Sequence, residues 1–205
     1  MKHDVGTGVA DVSIQNEIYD IVNSHGKTEY RRIIEEKAGY PYVYHLADIR
    51  ANLINWLPVK QTDAVLELGA ECGALTETLA EMSDDVTFWT DTRLQAEIIR
   101  CRLQKNVSGA DCKKITALTG AWDEIAGGLL TYDVIVLAGG FGEAAKWLPE
   151  NGTNPYVELL KTLRAHLKPG GFLAIADANR LGLKYFAGCQ EEHLGGYFLG
   201  PEGYP

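Results

Sequence analysis

The sequence predicts an α/β fold with a doubly wound, mostly parallel sheet, and two observations predict it. From residue 63 onward, short apolar runs rich in β-branched and aromatic residues alternate with amphipathic helical segments. Such alternation joins parallel strands through helical crossovers, covers both faces of the sheet and leaves a ligand crevice at the carboxyl ends of the strands. The chain has 205 residues, 46% of them hydrophobic, which is enough for one domain with a substantial core.

The elements follow in order. "SIQNEIYDIVNS" and "TEYRRIIEEKAG" are short amphipathic helices, and "VYHLADIRANLINWL" spaces Leu46, Ile49, Leu53 and Leu57 along one helical face. These define a helical cap over residues 1–58, ahead of a main domain over 59–205. Within that domain "DAVLELGA", "DVTFWTD", "KITALTG", "YDVIVLAGG" and "GFLAIADAN" are the expected strands. Between them "ALTETLAEM", "RLQAEIIRCRL" and "PYVELLKTLRAHL" are the expected helices, the last closed by "KPGG" as a helix stop and turn. The tail after the fifth strand is rich in glycine and aromatic residues, and the chain is expected to be a fragment of a longer polypeptide.

A net charge of −9 repels phosphate backbones, and no Lys/Arg cluster makes a local exception, so nucleic acid is not an expected partner. No apolar stretch is long enough to span a bilayer. Cys72, Cys101, Cys112 and Cys189 form no CxxC pair and no metal-like spacing with the histidines, so no metal is expected. The N-terminus lacks the apolar run of a signal peptide, and a reducing cytoplasm is the expected location.

"VLELGAECGALTETLAE", "VTFWTDTRLQAEIIR", "LTGAWDEI", "YDVIVLAGG" and "LKPGGFLAIADANRLGLKYFAG", in this order and spacing, resemble a class I S-adenosylmethionine-dependent methyltransferase. More narrowly, "YHLADIRANLINWLP" paired with "NRLGLKYFAG" resembles a bacterial group that can occur beside glycosyltransferase domains on long chains. The resemblance runs from about residue 40 to the end. It implies a Rossmann-like sheet with two further strands after the fifth, which this sequence lacks. It also implies S-adenosylmethionine as cofactor, a small-molecule or glycan-like acceptor, and a glycosyltransferase domain as a potential neighbour on the same chain.

The resemblance carries cofactor contacts onto named positions. Glu67 would meet the methionine amino group, and Gly69, Ala70, Glu71 and Gly73 form the turn beneath the cofactor. Tyr44 would close over it, Thr90 and Asp91 lie at the ribose, Ala121 and Trp122 at the adenine, and Gly139 follows the fourth strand. Three positions depart from the family pattern. Glu71 stands where glycine is usual, where its side chain would crowd the methionine moiety or swing to solvent. Thr90 stands where an acid grips the ribose, with Asp91 one residue later as substitute ribose ligand or as helix cap. Ala121 stands where Asp or Asn is common. Asn179, Arg180 and Tyr185 follow the fifth strand and are expected to face an acceptor, with His193 as the candidate base. Two other readings stay open: a degenerate module of the same fold without activity, and a nicotinamide dehydrogenase, against which "GAECG" lacks the GxGxxG spacing.

Overall fold

The computed structural model describes residues 12–148, 154–177, 179, 181–190 and 196–198. Strands β1 (Ala64–Leu68), β2 (Asp85–Thr90), β3 (Lys114–Thr119), β4 (Tyr132–Ala138) and β5 (Leu167–Ala176) form one sheet in the order β3-β2-β1-β4-β5. Every pairing is parallel. The order reverses between β1 and β4. Chain leaves these neighbours in opposite directions, so the crevice above their carboxyl ends is where such sheets bind ligands.

Helices α1 (Val12–Ser24), α2 (Lys27–Lys37) and α3 (Tyr40–Leu46) precede the sheet. Alternating with its strands come α4 (Ala74–Met82), α5 (Arg93–Asn106), α6 (Trp122–Ile125), α7 (Ala144–Trp147) and α8 (Pro155–Ala165), and α9 (Leu183–Phe186) follows β5. Alternate side chains of the central strands divide between two apolar clusters. Val65, Val86, Phe88, Val134 and Val136 pack on one face, and Leu66, Leu68, Trp89, Ile135 and Leu137 on the other. Both faces are therefore dry, which explains continuous apolar runs rather than alternating ones.

Helix α5 is buried on two sides. Ala96, Ile99 and Leu103 face the sheet, while Ile98, with Leu94 and Cys101 beside it, joins Ile18, Val22, Tyr30, Ile33 and Leu46 of the N-terminal helices in a third cluster. The N-terminal helices thus share a core with α5 rather than lying loosely on the surface.

Two expectations about local structure are corrected. The segment "VYHLADIRANLINWL" is not one helix: α3 stops at Ala47, whose backbone is extended (φ −74°, ψ 131°), and a 3-10 turn covers Asp48–Leu53. The break turns Ile49 and Leu53 outward, 69% and 43% exposed, while Leu46 and Leu57 stay buried. A helical face drawn through all four assumed a continuity that Ala47 interrupts. The "KPGG" turn is likewise absorbed into β5, which runs through it with an irregular register opposite Tyr132 and Val134. Gly170 takes φ +84° there, and a Cβ on Gly171 would stand 2.6 Å from the Asp133 carbonyl oxygen. Glycines at those two positions let the strand pass where other residues would force a true turn.

Arg102 of α5 joins the layers. Its guanidinium is 3% exposed and donates to the Glu77 carboxylate (3.2 Å), to the His45 carbonyl (2.5 Å) and to the Cys72 carbonyl (3.2 Å). Glu77, 2% exposed, also accepts from Asn106 (3.3 Å) and pairs with Lys27 (3.1 Å). One cation therefore ties α4, α5, the end of α3 and the loop after β1. Removing one partner of a buried pair strands the other charge, at a cost of about 3–5 kcal/mol. Because Glu77 keeps Lys27 and Asn106, Arg102→Met should cost about 3 kcal/mol in urea denaturation. Adding Glu77→Met should restore part of that loss, and strict additivity of the two substitutions would show that the pair is not coupled.

Candidate functional site

The loop after β1 carries three backbone peculiarities at alternate positions. Gly69, Glu71 and Gly73 all have positive φ, at +65°, +48° and +78°. Gly73 is required twice over, since a Cβ there would lie 2.7 Å from Ile99 Cγ1 of α5 as well as in the left-handed region. Its glycine is thus explained by packing of the helix behind it. Ala70 is buried and donates its N–H to the Trp89 carbonyl (3.0 Å), which ties the turn to the end of β2.

The Glu71 side chain turns toward the N-terminal helices. Its carboxylate accepts from the Tyr44 hydroxyl (3.4 Å) and lies 4.0 Å from His45 Nδ1, so it reaches α3. Left-handed backbone costs a non-glycine residue about 1–2 kcal/mol, and this contact with the N-terminal helices offsets part of it. The same Tyr44 hydroxyl approaches Gly139, where a Cβ would stand 3.2 Å away, and Gly139 takes φ +86°. Tyr44 therefore bridges the loops after β1 and β4, directly at the reversal of strand order. Arg50, six residues on, stacks its guanidinium 3.9 Å from the Tyr44 ring centroid and donates to the Tyr44 carbonyl (3.2 Å). Burial, and then the charge of Glu71, push the Tyr44 hydroxyl well above the usual phenol range.

Glu67 stands near the end of β1, 3% exposed, and accepts from the Thr76 hydroxyl of α4 (2.6 Å). Burial pushes its carboxyl up to about 7, against the lowering effects of the Thr76 bond and the Arg50 charge. A carboxyl held near neutrality beside a crevice changes charge readily when a cation arrives.

On the other side of the loop, a 260 Å³ cleft lies among Trp89, Asp91, Ala121, Trp122, Lys146 and Trp147. Thr90 is buried and donates its hydroxyl to the Thr92 carbonyl (3.1 Å), so it takes no place in the cleft wall. Asp91 does line it. The capping role belongs to Thr92, whose side chain accepts from the Gln95 N–H (3.3 Å) while Gln95 Oε1 accepts from the Thr92 N–H (3.2 Å). Trp122 is 1% exposed and stands edge-on to Trp89, centroids 5.3 Å apart. Its indole nitrogen is buried with no hydrogen-bond partner among the described residues, while that of Trp89 donates to the Gly120 carbonyl (3.0 Å).

Of the expected acceptor residues, two are described. Asn179 uses its side chain to accept from the Leu181 N–H (2.9 Å) within a turn, and Tyr185 is buried under Lys184, whose ammonium lies 4.9 Å from its ring centroid. Neither lines the cleft. Arg180 and His193 lie outside the described residues. A second cavity of 380 Å³, lined by apolar side chains that include Trp56, Leu57 and Ile175, sits beside β4 and β5. Sequence reasoning missed Arg50, Thr76 and Trp147 as site residues. Arg50 lies in a 3-10 turn and Thr76 in a helix without any motif of their own, and Trp147 sits in a four-residue helix too short to leave a periodic signal.

No protein-family model and no curated protein sequence matches the chain. Among solved structures it is similar to a precorrin 8w decarboxylase of Methanobacterium thermoautotrophicum, at 20% identity over 69% of this chain and 67% of that one, with a TM-score of 0.49. It is also similar to a precorrin-6y C5,15-methyltransferase from Geobacter metallireducens GS-15, at 14% identity, 62% and 60% coverage and a TM-score of 0.47. A third is the glycopeptide N-methyltransferase MtfA complexed with S-adenosyl-L-methionine, at 23% identity, 62% and 51% coverage and a TM-score of 0.43. The chain thus spans between half and two thirds of these chains. All three TM-scores lie below 0.5, and the Rossmann-like class rests on this chain's own strand order, 3-2-1-4-5, with helices on both faces. No helix among the described residues is long and apolar enough to cross a membrane.

The Glu71 contact yields a direct test. Glu71→Gly removes both the strain and the Tyr44 bond, so its stability should stay within about 1 kcal/mol of the parent. Glu71→Ala keeps the strain and loses the bond, and should melt lower than Glu71→Gly by the equivalent of about 1 kcal/mol. Equal melting of the two would mean that the backbone at residue 71 is not held in the left-handed region.

Proposed function

We propose that this chain is a class I S-adenosylmethionine-dependent methyltransferase domain acting on a small-molecule or glycan-like acceptor. The observation that carries the reading is Glu67, a carboxyl buried at the switch point with its ionisation held near neutrality. A group in that condition gains most from a cationic partner such as an α-ammonium. Arg50, within electrostatic reach of Glu67, is the complementary group for an α-carboxylate. Asp91 at the cleft is the acid for ribose hydroxyls, and Trp122 with Ala121 forms the wall for a purine. Bound in this order, the cofactor supplies an electrophilic methyl group on its sulfonium. The protein's part is to orient it and keep the crevice dry. The apolar cavity beside β4 and β5 would take the apolar part of an acceptor, and a glycosyltransferase domain on a longer chain is the neighbour that the resemblance implies.

A second reading, a binding module of the same fold without activity, is favoured by Thr90, which is buried where a ribose-gripping acid is expected. Calorimetric titration with S-adenosylhomocysteine and with NAD separates the possibilities. Glu67 must be ionised to accept from an ammonium. With its carboxyl near 7 in the free protein, most molecules are ionised at pH 7.5 and few at pH 5.5, so affinity for S-adenosylhomocysteine should fall by more than about tenfold over that interval. Glu67→Gln should bind weakly and without this pH dependence. Binding of NAD in place of S-adenosylhomocysteine would overturn the proposal, and loss of every adenosyl ligand would leave the inactive module.

A further inference from the structure

Trp147 lies across the carboxyl ends of three strands. Its ring packs edge-on against Trp89 at the end of β2, with centroids 4.9 Å apart. Beyond that it covers the first residue after β1: a Cβ on Gly69 would stand 3.7 Å from its Cη2 atom. It reaches as far as the loop after β4, where a Cβ on Gly140 would lie 2.8 Å from the same atom. The ring therefore rests against two glycines, one on each side of the switch point, and contact with Gly140 is close enough that no other residue fits there unchanged.

This placement divides the crevice. The cleft with Asp91, Ala121 and Trp122 is bounded on one side by Trp147 itself, and Glu67, Tyr44 and Arg50 stand beyond. At 260 Å³ the cleft falls just below the range of about 300–1,000 Å³ typical of small-molecule sites. A base and ribose can be accommodated beside the indole. A ligand that continues from the ribose to an amino acid must cross the space over Gly69, which the indole fills.

The ring is carried on a short element after a glycine-rich turn. Helix α7 has four residues and follows Gly139, Gly140 and Gly142, with Gly139 at positive φ. One hydrogen bond at the start of this segment, from the Gly142 N–H to Asp177 (2.6 Å), anchors its near end, and the Tyr156 hydroxyl reaches the Gly142 carbonyl (3.5 Å). Rotation of Trp147 about its own side-chain bonds would carry the ring off Gly69 while both anchors hold.

We infer that Trp147 is the specificity-determining residue of the crevice: seated, it admits a nucleoside, and displaced from Gly69 and Gly140, it admits a nucleoside joined to an amino acid. This rests on the adenosyl reading of the site. The longer ligand must give up the contacts of the indole with Trp89 and the two glycines before it binds, whereas the shorter ligand gives up nothing. Discrimination therefore comes from the protein's own side chain rather than from the ligand's contacts alone.

The experiment compares adenosine and S-adenosylhomocysteine on the parent chain, on Trp147→Ala and on Trp147→Leu, by calorimetry, with melting curves to establish that each variant is folded. Removing the indole should tighten S-adenosylhomocysteine tenfold or more relative to adenosine, about 1.4 kcal/mol. Two variants are used because leucine retains packing against Trp89 yet is too short to reach Gly140. An unchanged or weaker affinity for S-adenosylhomocysteine, with adenosine still bound, overturns the gating role and leaves the adenosyl site standing. A parallel loss of both ligands in the variants makes Trp147 a wall of the purine pocket and also overturns it. Failure of both ligands on all three chains removes the adenosyl reading and the inference with it.

Discussion

A single buried cation, Arg102, sets the geometry on which the site depends. The carbonyls of Cys72 and His45 both turn inward to its guanidinium, and Glu77 balances its charge. Neither carbonyl belongs to a regular ladder at that point: Cys72 is in the loop after β1, and His45 is in the last turn of α3. Buried carbonyls without partners cost more than their bonds return, so the arginine decides the conformation of two segments that otherwise have little to hold them. Once fixed, these segments bring Glu71 to Tyr44, and Tyr44 to Gly139.

The strained glutamate follows from that arrangement. A residue at φ +48° is an expense that a free loop would avoid by carrying glycine. Here the side chain is what joins the loop to α3, so glycine would relax the backbone and sever the link together. The N-terminal helices are consequently part of the site. They share a core with α5, supply Tyr44 to the crevice, lead into the 3-10 turn that carries Arg50, and are held by the cation that also holds the loop.

The sheet was legible in the sequence because its strands are buried on both faces, and "VLELGAECGA" announced the loop through its glycines. The chain order of strands and helices carried the class without further information. What could not be read were features that depend on contacts between distant segments. The direction of Glu71 was set by Tyr44, 27 residues earlier. That Thr92 takes the helix cap while Asp91 lies on the cleft wall was likewise not readable from the spacing. Trp147 left no trace in the pattern because its role lies in where its ring comes to rest, over glycines from two other loops. The helix drawn through Ile49 and Leu53 failed for the opposite reason, since spacing alone implied a continuity that the backbone at Ala47 breaks.

Amide hydrogen exchange, followed with and without saturating S-adenosylhomocysteine, tests most directly that the crevice above β1 and β4 is an adenosyl site. The account predicts slowed exchange at residues 69–73, 90–92 and 120–122, the three turns that end β1, β2 and β3, because ligand contact suppresses local opening of these segments. Protection confined to residues 172–176 and the apolar cavity beside β5, with the three turns unchanged, would contradict it.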